Sequence, residues 1–355
     1  MGPHDILNDF SDLAKQISSV FRGDLLINDE NSPSLETSLE GTGLSLSFLK
    51  NLLNLLRTDS ENFLKVSTDF LENFSGTLSP DVLLELQIAI GNTQLVHGKF
   101  EDAKAILTKA SVVAENIQKT WELSEIYNIL AGAIFSLGDI RQALSFLIKS
   151  VEIKNELKDK LGKSKTLINI GKVKIELGDF SGSLESLIES YTVIVENGLP
   201  KSLELLCLNN IAICYERLSL TKKAIGIYES ILEISIAIKD TRAHVLSSIN
   251  IGNMFITELR IEEAVSHFTH ALAQSKVLNY PHFQADALEG LGQAHLALKE
   301  FEAAQNYFTQ ALEHSTKLRD REGEVDALLL LGKTHLAQKQ YARAVKKLKL
   351  TLELI

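Results

Sequence analysis

The sequence predicts an all-α fold, a right-handed α-solenoid of helical hairpins, and three columns of residues carry that prediction. Small side chains recur at Gly91, Ala131, Gly171, Ala212, Gly252, Gly292 and Gly332, at intervals of 40, 40, 41, 40, 40 and 40 residues. A second small column runs Ala103, Ala143, Ser183, Ala224, Ala264, Ala304 and Ala344. Four residues after each stands a large side chain: Leu107, Leu147, Leu187, Tyr228, Phe268, Phe308 and Leu348. Self-similarity at a fixed period marks stacked repeats. Small residues let two backbones approach, and bulky ones fill the gap beside them. In the unit around Gly171, Gly178-Asp179 marks a tight turn between two helices, with Phe180 opening the second. One such hairpin cannot bury its own apolar face and needs a neighbour of the same kind.

From the N-terminus, Asp9–Phe21 has Leu13, Ile17 and Phe21 at helical spacing and reads as a short amphipathic helix. Residues 22–44 carry the loop chemistry of a linker, rich in Gly, Asn, Ser and Thr. This makes 1–44 an N-terminal helix plus flexible linker. Ser45–Arg57 and Ser60–Phe74 read as a helical hairpin without the small-residue columns, so 45–79 is expected to be a cap or degenerate repeat that covers one end of the array. The Leu52–Leu56 run matches a leucine recruitment motif, but helices meant to pack look the same. Ser79-Pro80 opens the regular array, since serine caps a helix and proline suits its first turn.

Seven repeats are expected over 80–355, starting near 80, 120, 160, 200, 241, 281 and 321. First helices are placed near 80–97, 121–137, 161–177, 200–218, 241–258, 281–298 and 321–338. Second helices start near 100, 140, 180, 221, 261, 301 and 341. Asp159, Asp240 and Asp320 are expected N-caps, each behind a cation that suits a preceding helix C-terminus. The chain stops at Leu352–Ile355 inside the last second helix. The expectation there is an exposed apolar end, which either a longer native chain or another molecule covers, with self-association of the isolated fragment through that end.

The run Leu-Gly-Asp-Ile/Phe followed by Ala/Ser-Leu at 137–144 and 177–184 resembles the tetratricopeptide repeat. The resemblance covers 80–355. That family's usual unit is about 34 residues, so a spacing of 40 gives each helix nearly one more turn. The resemblance implies stacked helical hairpins that bind proteins or peptides along a concave face made by the first helices, with no activity of their own.

Composition fits a soluble protein: 45% hydrophobic and 23% charged, with five prolines and one tryptophan. A net charge of −10 argues against a nucleic-acid partner. The start of the chain lacks a basic-then-apolar leader, and no apolar run approaches the ~20 residues that span a bilayer. The expected address is the cytoplasm, without membrane insertion. Cys207 and Cys214, seven apart on one helix, lie too far apart for a disulfide and read as buried thiols.

No catalytic motif appears, so no enzyme, cofactor or metal is expected. His267 and His270 have i,i+3 spacing but no evident third ligand. His295 and His335 are equivalent in successive repeats and read as packing groups. One constellation does stand out. Asn169, Asn210 and Asn250 each lie two residues before the small column. Asn is a poor mid-helix residue, so three in register need a reason. An amide offers both donor and acceptor, and a ladder of them suits the main chain of an extended peptide. The alternative is that they bond neighbouring helices. Similar ladders occur in peptide-binding members of the resembled family, the kinesin light chain and bacterial pheromone receptors.

Family geometry adds concave-face positions: Glu125, Asn128, Lys165, Ile168, Lys172, Asn209, Ile213, Arg217, Ile249 and Asn253. Lys165, Lys172 and Arg217 suit a carboxylate or other anion. The full residue set of the family's two-carboxylate clamp for chaperone tails is missing. The expected function is thus a non-catalytic scaffold for a protein or extended peptide. One alternative is a sensory or regulatory segment of a larger signalling protein of cyclase or histidine kinase type. Another is a peptide-pheromone receptor.

Overall fold

The computed structural model describes residues 52, 55, 56 and 58–354. The expectations for 9–21, for the linker to 44, and for most of the helix to Arg57 lie outside these. Among the described residues the fold is all-α, with fifteen α-helices, one short 3-10 turn and no strand. It is a solenoid of helical hairpins. The chain divides into two units, Met1–Asp179 and Phe180–Ile355.

The first unit holds α1 (Ser60–Phe74), α2 (Pro80–Val96), α3 (Phe100–Asn116), α4 (Thr120–Ser136), α5 (Ile140–Glu156) and α6 (Lys160–Glu176). The second holds α7 (Phe180–Glu196), α8 (Lys201–Arg217), α9 (Thr221–Ile238), α10 (Thr241–Thr257), α11 (Ile261–Val277), α12 (Pro281–Ala297), α13 (Phe301–Leu318), α14 (Arg321–Ala337) and α15 (Tyr341–Leu354). Each helix start lies within one residue of its expected place.

A helix of 17 residues and a connection of three repeat almost without change. The connection adds a fourth residue at 197–200, around Pro200, and this accounts for the single interval of 41. Every connection after α2 turns through one left-handed residue. Four of these are Gly98, Gly138, Gly178 and Gly198; nine are other residues, such as Gln118, Leu259 and Lys339. The next residue donates its N–H to a carbonyl five back, as in Lys99 to Gln94 and Gln340 to His335, both 2.8 Å. This closes the helix end in the manner of a Schellman motif. Five of the helices that follow are capped by a side chain: Ser79, Asp139, Asp159, Asp240 and Asp320 each accept from the N–H three residues on.

The two helices of a hairpin differ in environment. On α2 eleven residues are buried, on α3 four. First helices are covered on two sides and second helices on one, so only the second are plainly amphipathic. The small and large columns meet directly. A Cβ built on Gly91, Gly252, Gly292 or Gly332 would come within 2.5, 2.7, 2.5 or 2.9 Å of Leu107, Phe268, Phe308 or Leu348, each sixteen residues on. Within the first unit α1 packs Phe63, Leu64 and Phe70 against Leu86, Ala89 and Ile90 of α2. Cys207 and Cys214 are buried free thiols; they donate to the Leu187 carbonyl and the Ser183 hydroxyl, and burial pushes Cys207 up to about 11.

Candidate functional site: an amide-lined groove in the first unit

First helices are the inner layer of each hairpin, and in the first unit α2 meets α4 along this layer. Together with α6 they leave a groove of about 410 Å³. Asn92, Asn128 and Asn169 line it, one from each first helix, and Leu95, Ile129, Phe135 and Val173 supply apolar wall. Lys172 and Glu176 stand at its exposed rim. The Asn169 amide donates to Asn128 Oδ1 at 3.0 Å. An amide pair joined once still holds the NH2 of Asn128 and the carbonyl of Asn169. Those two groups match the acceptor and donor of a peptide bond.

The other expected positions divide by burial. Lys165 is exposed, one helical turn before Asn169. Ile168 and Ile249, placed on the concave face by family geometry, are 1% and 4% exposed and belong to the core. Glu125 is held by the ammonium of Lys154, 2.5 Å away and itself only 1% exposed, which also donates to Thr166 Oγ1 at 3.1 Å. The lysine was not singled out in the sequence because nothing in its spacing marks a buried cation.

In the second unit the asparagine column takes other partners. Asn210 is 4% exposed and donates to the Leu206 carbonyl of its own helix at 2.7 Å. Asn250 hydrogen-bonds the hydroxyl of Tyr228, which in turn donates to Glu216 Oε1 at 2.6 Å. Burial raises the pKa of both Glu216 and Tyr228, foremost among its causes. Asn209 is half-buried; Arg217 and Asn253 are exposed.

The histidines pack. His295 and His335 each bond the side chain five residues on, Glu300 at 2.6 Å and Gln340 at 3.0 Å. His267 lies edge-on to Phe255, and His270 edge-on to His244. Burial, then the neighbouring His270, lowers the pKa of both His244 and His267. Among the described residues no group of three His, Cys, Asp or Glu is placed to hold a metal, and no helix is long and apolar enough to cross a membrane.

Sequence reasoning missed an acidic stretch on α12 and α14. Burial and the charge of Asp326 push Glu289 up to about 7. Their positions on first helices were the available signal.

No curated protein matches the sequence. The tetratricopeptide repeat family model matches residues 241–317 and 283–355. Among solved structures the chain is similar to a Rap protein complexed with competence and sporulation factor (11% identity, TM-score 0.64, 99% of this chain and 98% of that one). It is also similar to aspartyl phosphate phosphatase F from Bacillus subtilis (13%, 0.65, 99% and 94%). A third is a signal transduction ATPase with numerous domains, carrying a tetratricopeptide repeat sensor, from Pyrococcus horikoshii (16%, 0.67, 97% of this chain but 53% of that one). At these identities the likeness is one of fold. Residues 241–355 match the tetratricopeptide repeat family, and the hairpins from Pro80 onward are built to the same 40-residue plan.

Proposed function

We propose that this protein binds an extended peptide segment of another protein, and that it acts by binding alone. The observation that carries the reading is the Asn128–Asn169 amide pair beside the apolar wall of the first unit's groove. Asn92 extends the row, and Lys165 and Lys172 supply cations for an acidic side chain or a terminal carboxylate. In the second unit the same reading assigns Asn209, Asn253 and Arg217 as the accessible contacts and leaves Asn210 and Asn250 to packing. The structural likeness to a Rap protein complexed with competence and sporulation factor supports a peptide ligand of the pheromone class. The likeness to a repeat sensor within a larger signalling ATPase favours a second reading, in which these repeats regulate a partner domain. In both, the place of action is the cytoplasm.

The test is a selection of short peptides from a random display library on the full chain, followed by titration of the enriched peptides. Each lost amide bond is worth about 0.5–1.5 kcal/mol. Asn128→Ala with Asn169→Ala should therefore weaken binding roughly five- to hundredfold while helical content stays unchanged. Enriched peptides that bind the double variant as tightly as wild type would remove this groove from the reading. Failure to enrich any peptide would favour the second.

A further inference from the structure

A larger cleft lies elsewhere in the first unit, on the side formed by second helices. It occupies about 980 Å³ between α1, α2 and α3. That is the upper end of the range of about 300–1,000 Å³ for ligand pockets. Three residues of α2 line it, Leu83, Gln87 and Gln94, and the two glutamines are each 8% exposed. Neither side-chain carbonyl oxygen has a hydrogen-bond partner. Buried acceptors are normally paired.

No other hairpin carries glutamine at either of these places in the register. Gln87 stands in the column that later hairpins fill with Tyr127, Leu167, Leu208, Ser248, Leu288 and Leu328, and Gln94 in the column of Ile134, Lys174, Tyr215, Phe255, His295 and His335. In the same unit Leu167 and Ile134 are buried apolar groups. The first hairpin thus sets two side-chain amides, their oxygens without partners, along an open cleft. The cleft's rim is predominantly acidic: Asp59, Glu61, Asp69, Glu72 and Asp102 outnumber three lysines. Acceptors inside and carboxylates outside call for a ligand that brings both N–H donors and positive charge.

We infer that this cleft is a second binding site, for a basic, arginine-bearing peptide segment in extended conformation. Residues i and i+7 lie on one helix face and differ by about 10 Å along the axis. In a polyproline II chain, side chains three residues apart share a face and differ by about 9 Å. Arginines at i and i+3 would therefore reach both amide oxygens. A guanidinium carries five N–H donors, enough to bond one buried carbonyl and a rim carboxylate together. The site shares only α2 with the asparagine groove, has no lining residue in common with it, and does not depend on it.

The test uses the full chain and three fluorescein-labelled peptides of the pattern Gly-X-Ala-Ala-X-Ala-Ala-X-Gly, with X arginine, citrulline or glutamate. The arginine peptide should bind and weaken with salt. Citrulline keeps N–H donors without the charge and should bind at least fivefold more weakly. The glutamate peptide should not bind. Gln87→Leu with Gln94→Leu removes both amides at similar side-chain volume. It should weaken the arginine peptide at least tenfold while raising the melting temperature by about 2–4 °C. Asp69→Asn with Asp102→Asn, at the exposed rim, should weaken binding and flatten its salt dependence without change in melting. Asn128→Ala with Asn169→Ala should leave it unchanged. Three results would overturn the inference: no binding of the arginine peptide to wild type, equal binding to the leucine double variant, or equal binding of the glutamate peptide. A leucine double variant that melts higher in a chain that binds no arginine peptide means that the two amides hold ordered water only, which also overturns it.

Discussion

The packing of Phe268 yields the sharpest stability prediction. The ring is fully buried on α11, between α10 and α12, in the second unit. A Cβ at Gly290 of α12 would lie 2.2 Å from Phe268 Cε1, and one at Gly252 of α10 would lie 2.7 Å from Cζ. Ordinary contact needs about 3.5–4.0 Å. Gly290→Ala must therefore push the ring by more than 1 Å, and the Gly252 backbone blocks its retreat. Overpacking of this kind costs about 1–3 kcal/mol, and a ring held on two sides belongs at the upper end. Alanine regains about 1 kcal/mol of helix propensity over glycine, which leaves a net loss of about 2 kcal/mol. Urea unfolding followed by helical circular dichroism should show a lower midpoint. Phe268→Leu, which removes the ring, should make Gly290→Ala far less costly in the double variant, with a coupling of about 1–2 kcal/mol. A Gly290→Ala variant as stable as wild type, or additive behaviour with Phe268→Leu, would refute the clamp.

Three further outcomes follow from particular contacts. Leu259 is left-handed, with φ 60°, and 81% exposed; a left-handed non-glycine residue costs roughly 1–2 kcal/mol, so Leu259→Gly should stabilise by about 0.5–1 kcal/mol after glycine's own entropy cost, measured as a rise in urea midpoint. Glu125→Ala leaves the Lys154 ammonium buried without its carboxylate and should cost about 2–4 kcal/mol, whereas Lys154→Met should be near neutral; thermal melts of both variants check this, and equal losses would contradict it. Glu289 titrates near 7 in the fold, through burial and then Asp326, with Gln293 and Lys333 opposing, against about 4.3 unfolded. A raised carboxyl gives stability that is complete below the unfolded value and lost as pH rises through about 7, so Glu289→Gln should match wild type near pH 4 and exceed it at pH 8 in parallel melting series.

Periodicity made the helices, their bounds and the pairing of small with large columns legible. Gly91 with Leu107 and Gly252 with Phe268 touch as the columns imply, because a fixed register repeats the same contact in every hairpin. The aspartate caps were legible for a local reason, since a cap is decided within four residues. The Lys154–Glu125 pair and the two buried glutamines were not. Each depends on what a neighbouring helix supplies, and charge or polarity in one sequence reads first as solvent exposure. The Gly290 contact was also missed: it joins a first helix to the second helix of the preceding hairpin, a partner outside the hairpin in which the columns were read.

That same position explains the fate of the asparagine column. Asn169, Asn210, Asn250 and Gly290 are equivalent residues of successive first helices. Gly290 receives Phe268 from the preceding second helix, and Asn250 receives Tyr228 from the corresponding place in the preceding hairpin. The column therefore faces a neighbouring second helix wherever that helix offers a large aromatic group. Where the large column offers Phe268, glycine makes room for the ring; where it offers Tyr228, an amide meets the hydroxyl. Asn169 instead meets Asn128 across first helices, at the wall of a groove. One register position thus meets a ring, a hydroxyl or another amide according to the residue opposite it. The asparagines share a position without sharing a task, and Asn169 with Asn128 is the pair to which the binding test belongs.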